Sequence, residues 1–407
     1  MEWNEILVPA WRGEANTDIA EIMRLSETEG VISFAGGFPG ADMFRLPEVS
    51  EVGARILAEN GAAALQYGPT AGFSALREYL ADRMRARFGV TISPAEVTIT
   101  SGALQGLDLI CRVLLEPGDV VISEAPSYVG ALQTIIAYGA RVEEIPTDEE
   151  GMQVDLLAER LAALSTSARR PKFIYTVPTF QNPSGATLSS ARRRLLVDLA
   201  AAYGVPLVED SAYAELRFAG SEAPTLKSLD ESGAVLFLGT FSKILSPGLR
   251  LGWVVAPEKF TAKLIAVKQT SDQCSSSLSQ LLALECGRRG IIERQVKASC
   301  ALLKERAAAM SAGLKRHFPA GTHWVEPQGG FFTWVTLPDA PGLDTARLLK
   351  QAVAEEKVAY VAGRSFYAHG QGANQLRLSF SYPAPADIEE GTKRLGRFFQ
   401  QALAAGA

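Results

Sequence analysis

Lys243 stands just past an apolar run, residues 234–238, that reaches it through Gly239-Thr240-Phe241-Ser242. Arg250 follows seven positions later, and a second apolar run, 251–256, begins at once. This order sets one amine and one guanidinium at the mouth of an apolar core. A lysine cation is costly to bury, so such a site either exposes the amine or depresses its pKa. A lysine with a lowered pKa is a nucleophile toward carbonyls and can form a Schiff base. An arginine beside the hydroxyls of Thr240 and Ser242 suits a phosphate, because its fork matches phosphate oxygens. A lone lysine in a turn is ordinarily a surface group. Three other stretches give this one its weight.

Each of them closes an expected strand. Residues 96–100 end in Ser101-Gly102-Ala103-Leu104-Gln105-Gly106, 173–177 lead to Thr179-Phe180-Gln181-Asn182-Pro183-Ser184-Gly185, and 206–209 end in Asp210. After Gly106 the apolar pattern takes a helical period through residue 115. A strand feeding a helix through small residues makes an anion site, because the first-turn N–H groups lack intrahelical partners. The stretch has neither the GK[ST] ending of a Walker loop nor a GxGxxG spacing. Upstream, Ala35-Gly36-Gly37-Phe38-Pro39-Gly40 is a turn where backbone can approach a ligand closely.

The elements that must position these residues alternate. Strands are expected at 96–100, 120–123, 141–145, 173–177 and 206–209, with helices up to 115 and 138, from 155, and over 189–203. That rhythm predicts an α/β fold, a mainly parallel sheet with helices on both faces. Ligands in such folds sit beyond the carboxyl ends of the strands, where Ser101-Gly102, Asn182, Asp210 and Ser242-Lys243 fall. A helix is expected over 73–88 after the turn 66–72, and another over 17–26. Beyond 261 the pattern turns helical, with a long segment over 291–316. Strands are then expected at 331–336, 358–361 and 376–381, with a last helix from 386. This predicts a smaller α+β domain built from both chain ends. The expected division is an arm and part of the small domain over 1–60, a large domain over 61–288 and the C-terminal small domain over 289–407.

At 407 residues the chain exceeds one ordinary core, so about two domains are expected. A hydrophobic fraction of 47% with 21% charged residues is that of a soluble globular enzyme. The net charge of −5 argues against nucleic acid as a partner. The first eleven residues lack the pattern of a signal peptide, and no apolar run is long enough to span a bilayer. Cys111, Cys274, Cys286 and Cys300 are scattered without a CxxC pair, as expected of reduced thiols in a cytoplasmic protein. His317, His323 and His369 lack metal-ligand spacing, which counts against zinc or a His-triad mechanism.

In order, the sequence holds Asn182-Pro183-Ser184-Gly185, then Asp210-Ser211-Ala212-Tyr213, then Ser242-Lys243 with Arg250. Over almost the whole chain it resembles the fold-type-I pyridoxal-phosphate (PLP) aminotransferases of class I/II. Ser33-Phe34-Ala35-Gly36-Gly37, Leu65-Gln66-Tyr67, Glu124-Ala125-Pro126-Ser127-Tyr128 and 241–250 are similar to the 2-aminoadipate and kynurenine aminotransferase II branch. The resemblance implies that Lys243 binds the cofactor covalently and then serves as the base. Asp210 would pair with the pyridinium nitrogen, while Asn182 and Tyr213 would hydrogen-bond the ring's phenolic oxygen. Tyr128 would stack on the ring. Thr240, Ser242, Arg250 and the backbone at Gly102, Ala103 and Leu104 would hold the phosphate. Gly37, Asn182 and Arg377 would contact substrate, Arg377 clamping the α-carboxylate bidentately. Tyr67 would reach the phosphate of a neighbouring subunit, implying a homodimer.

Two departures stand out. Ala103 and Leu104 occupy positions where relatives often carry Ser and Gln, so weaker cofactor binding is expected. Ile19-Ala20-Glu21 matches a triplet in which acidic-substrate relatives carry an arginine, although Arg24 lies one turn further on. The resemblance implies L-α-amino acids with aromatic, aliphatic or 2-aminoadipate-like side chains as substrates and 2-oxoglutarate as acceptor, and the missing arginine tilts the expectation toward the aromatic and aliphatic donors. A PLP-dependent lyase or decarboxylase would share these residues. A PLP-binding regulatory module is disfavoured by the acidic balance and by the short stretch ahead of Ser33.

Overall fold

The computed structural model describes residues 3–8, 29–165 and 170–406. The expected helix 17–26, with Ala20 and Arg24, lies outside them. Strand β1 (Ile32–Ser33) precedes an eight-stranded sheet. The sheet comprises β2 (Val97–Thr100), β3 (Val120–Ala125), β4 (Arg141–Asp148), β5 (Gly151–Met152), β6 (Phe173–Thr176), β7 (Leu207–Asp210), β8 (Val235–Thr240) and β9 (Gly252–Val255). Their spatial order is β2-β9-β8-β7-β6-β3-β4-β5. The run from β8 to β4 is parallel throughout.

The continuous apolar strands are buried on both faces, and period two divides them. Val120, Ile122, Ile174, Leu207 and Val235 share a core with the helices Val154–Ser165 and Ser190–Tyr203. Val121, Phe173, Val208 and Leu236 face the other way, toward the helices Ala103–Leu114 and Val129–Ala137. All of the parallel strands therefore end on one edge.

Strand β9 runs antiparallel to both β8 and β2. A parallel partner needs a crossover of about a dozen residues or more, usually a helix. The segment between Thr240 and Gly252 carries only the 3₁₀ turn Pro247–Leu249, so the chain turns back on itself. That tight return brings Arg250 alongside Lys243.

The smaller layer is antiparallel. Strands β10 (His323–Trp324), β11 (Phe332–Thr336), β13 (Val361–Ala362) and β14 (Gln375–Ser379) are ordered β10-β11-β14-β13, while β12 (Val358–Ala359) pairs in parallel with β1. The expected strand 358–361 is thus two strands, broken at Tyr360. That side chain is fully buried and its hydroxyl donates to the Thr345 carbonyl at 2.7 Å. The long helix Ile291–His317 and the last helix Pro385–Ala404 share a core through Leu303, Met310, Leu395 and Phe399. A helix not anticipated from the sequence, Leu46–Leu65, buries only Val52, Ile56 and Ala64. Among the described residues, no helix is long and apolar enough to cross a membrane.

Candidate active site

A cavity of about 230 Å³ opens at the carboxyl edge of the parallel strands. Its wall includes Gly37, Ala103, Leu104, Tyr128, Asn182, Asp210, Tyr213, Thr240, Ser242, Lys243, Arg250 and Arg377, brought from both layers. Gly102 borders it through Arg250. Tyr67 does not join them: its side chain is 75% exposed on the surface of this chain.

Lys243 is half-buried, and its Nζ donates to the Gly37 carbonyl at 2.7 Å. Desolvation, aided by the Arg377 and Arg250 cations and opposed by Asp210, lowers its pKa to about 8. Asp210 closes β7 and is buried. Tyr175 donates to its Oδ2 at 2.9 Å and the Ala212 N–H to its Oδ1 at 3.3 Å. Burial raises its carboxyl to about 6 against these hydrogen bonds and the Lys243 charge. Tyr175 was hidden in the sequence, because its ring belongs to an apolar strand and only its hydroxyl reaches the site.

Arg377, on β14, is 4% exposed. Its Nη1 donates to Asn182 Oδ1 at 2.9 Å and its Nη2 to the Ala35 carbonyl at 2.6 Å, while Nε is buried without a partner. The guanidinium lies over Phe332 at 4.2 Å and Phe366 at 5.1 Å. Burial lowers its pKa to about 10, so it remains a cation at neutral pH. Among the described residues no carboxylate forms an ion pair with it. A buried cation without its counter-charge is expensive, and a planar carboxylate is the ligand that would compensate it.

Two buried polar side chains hold the loop carrying Asn182 from two sides. Glu124 accepts from Thr176 Oγ1 at 2.7 Å, from the Val177 N–H at 3.0 Å and from Gln181 Nε2 at 3.2 Å. Arg193, fully buried, donates to the Pro178 carbonyl at 2.6 Å, to Thr179 Oγ1 at 2.8 Å and to the Leu188 carbonyl at 2.8 Å. Between them Phe180 adopts a left-handed φ of 51°, which persists only when its surroundings over-determine it.

The opposite end of the cavity is an anion cradle. Gly102 caps the helix Ala103–Leu114 with φ 93°, and a Cβ there would lie 2.6 Å from Arg250 Nη2. The Thr240 hydroxyl donates to Ser242 Oγ at 2.9 Å, setting both oxygens on the same rim. Gly102→Ala should therefore strain the turn by about 1–3 kcal/mol and displace Arg250. We expect a lower thermal unfolding midpoint and weaker binding of a phosphate-bearing ligand; a variant unchanged in both would contradict this cradle.

An amine of lowered pKa, a buried carboxylate and an anion cradle on one sheet edge fit a phosphorylated aromatic aldehyde. They define an enzyme site built for chemistry on amines through such a molecule. The chain belongs to the aminotransferase class I and II family, whose model matches residues 30–395. It is 42% identical to aromatic-amino-acid aminotransferase 1 of Thermococcus litoralis, across 96% of this chain and 93% of that one. Identity to the 2-aminoadipate transaminase of Thermus thermophilus is 40%, across 99% of each. A Pyrococcus horikoshii kynurenine aminotransferase, solved in complex with PMP, superposes with a TM-score of 0.93 at 40% identity, covering 99% of this chain and 98% of that one.

Proposed function

We propose that this aminotransferase uses pyridoxal 5′-phosphate to move an amino group from an L-α-amino acid to an α-keto acid, with 2-oxoglutarate as the expected acceptor. The two half-reactions would alternate at one site, a ping-pong scheme. The observation that carries this reading is the convergence of Lys243, Asp210 and the unpaired, buried Arg377 guanidinium on one cavity.

When bound, the cofactor supplies a carbonyl that condenses with amines and a ring that withdraws electrons from the substrate Cα. Arg250, Thr240, Ser242 and the N–H groups at Gly102, Ala103 and Leu104 would hold its phosphate. Asp210 stands to keep the ring nitrogen protonated, while Asn182 and Tyr213 would meet the phenolic oxygen and Tyr128 the ring face. Arg377 orients the substrate by its α-carboxylate, so that the Cα proton faces Lys243 Nζ. Lys243 accepts that proton in its neutral form and returns it. A positioned base of this kind contributes about 10²–10⁴-fold.

The cavity wall supports an apolar amino-acid side chain. Phe38 lines it and meets Tyr382 edge-on, with ring centroids 5.4 Å apart. Leu107 and Val129 extend the same wall. The exposed Leu65 and Tyr67 side chains suit the expected homodimer, in which Tyr67 would serve a neighbouring site.

Family membership favours transfer over a lyase or decarboxylase. The test is turnover of single amino acids with and without 2-oxoglutarate. Glutamate formation that requires the keto acid is expected; release of ammonia or carbon dioxide without it would contradict transfer. A pH profile tests the lysine separately. Capture of pyridoxal 5′-phosphate by the cofactor-depleted protein should rise with pH through a midpoint near 8, because attack needs the neutral amine. Arg377→Met should move that midpoint upward, since it removes a cation that lowers the Lys243 pKa. A wild-type midpoint at the ordinary lysine value of 10.5 would contradict the site's electrostatics.

A further inference from the structure

The phosphate cradle of this chain has little chemistry of its own at the helix start. Ala103 and Leu104 carry no hydrogen-bonding side chain, so the helix contributes only backbone N–H groups, and their direction decides how well an anion is held. That direction passes through Gly102, the backbone type with the widest freedom. Something must stop the turn from swinging.

The residues on either side of Gly102 are tied to a single carboxylate. Gln105 Oε1 accepts the Ser101 N–H at 2.6 Å, while Gln105 Nε2 donates to Asp272 Oδ2 at 2.7 Å. The Ser101 hydroxyl donates to the same Oδ2 at 3.2 Å. Asp272 is itself fixed from behind. Lys268 lies in the last turn of the helix Glu258–Gln269, its side chain is 0% exposed, and its Nζ reaches Asp272 Oδ1 at 2.5 Å and Oδ2 at 2.7 Å. The backbone wraps the same pair, with the N–H groups of Ser271, Asp272 and Gln273 all directed at the Lys268 carbonyl. A carboxylate placed behind an anion cradle would ordinarily repel the anion. Chelation of both its oxygens by a buried lysine offsets that charge and leaves Asp272 as a fixed acceptor.

We infer that Asp272, locked by Lys268, is a positioning residue for the phosphate cradle, acting through Gln105 and Ser101. Neither Gln105, Asp272 nor Lys268 lines the cavity, so their effect is on the orientation of the N–H groups and not on direct contact. The inference rests on the pyridoxal 5′-phosphate reading above.

The test is the dissociation constant of pyridoxal 5′-phosphate, measured by titrating the cofactor-depleted full-length protein. Wild type, Gln105→Ala, Asp272→Ala and the double variant are compared, with phosphorus NMR of the bound phosphate and the thermal midpoint without cofactor. Gln105→Ala is partly exposed and removes only the tie, so it should weaken binding about tenfold, equivalent to about 1.4 kcal/mol. The phosphate resonance should shift while the cofactor-free midpoint stays near that of wild type. Because both residues act on one turn, the double variant should be weaker than Gln105→Ala by no more than about threefold. A Gln105→Ala constant within about twofold of wild type would overturn the inference, as would full additivity in the double variant. If Asp272→Ala does not fold, the Gln105→Ala constant and resonance decide alone. Wild type that binds no pyridoxal 5′-phosphate would overturn the cofactor reading itself, and this inference with it.

Discussion

Lys243→Ala should abolish transamination, with a loss of at least about 10⁴-fold in kcat, the upper end of what a positioned base contributes. The lysine is assigned two tasks that no neighbour can assume. It is the amine that lines the cavity with a lowered pKa, and in the proposed function it would also take the Cα proton. Of the two lysines nearest in sequence, Lys227 is committed to Asp230 and to the Val235 carbonyl, Lys259 lies on the helix Glu258–Gln269, and neither lines the cavity. Lys243→Arg separates the charge from the chemistry. It retains a cation, but its guanidinium stays protonated and is not a nucleophile. Both variants should therefore be inactive while retaining the fold, which circular dichroism and the thermal midpoint can check. Near-normal turnover in either would remove Lys243 from the chemistry.

Arg377→Ala should raise KM for the amino acid and the keto acid alike, because both carry the carboxylate it would hold in the proposed function. A hydrogen bond to a charged group is worth about 1.5–3 kcal/mol, which corresponds to an increase of about 10–150-fold. Part of the loss arises inside the protein: without the guanidinium, Asn182 Oδ1 and the Ala35 carbonyl each lose a buried donor. Arg377→Lys should not restore function, since a point charge cannot reproduce the planar fork that now spans Asn182, Ala35 and the faces of Phe332 and Phe366. Steady-state kinetics with both substrates varied would show it. An unchanged KM for either substrate would contradict the clamp.

Much of the site could be read from the sequence because its main residues sit where local pattern changes. Asp210 and Lys243 each follow an expected strand, and the parallel pairing of β3, β6, β7 and β8, all buried on both faces, carries their ends to one edge. Arg377 emerged only through the motif around it, since a strand arginine has no local mark of its function. Other parts were invisible for physical reasons. The helix Leu46–Leu65 contains Gly53, Gly61 and a non-helical Asn60, which interrupt its helical pattern. The reversal of β9 depends on loop length, not on the apolar run itself. Gln105 and Asp272 are 167 residues apart, so nothing short-range links them. Tyr175 and Glu124 lie within runs whose burial conceals their polar atoms.

The most direct test of transamination at this cavity is the absorption spectrum of the reconstituted protein during titration with single amino acids, before any keto acid is added. Aromatic or aliphatic amino acids should bleach the band of the lysine-bound cofactor, and 2-oxoglutarate should restore it. A protein that shows no such band after reconstitution, or whose band decays with release of ammonia or carbon dioxide and does not return with the keto acid, would contradict it.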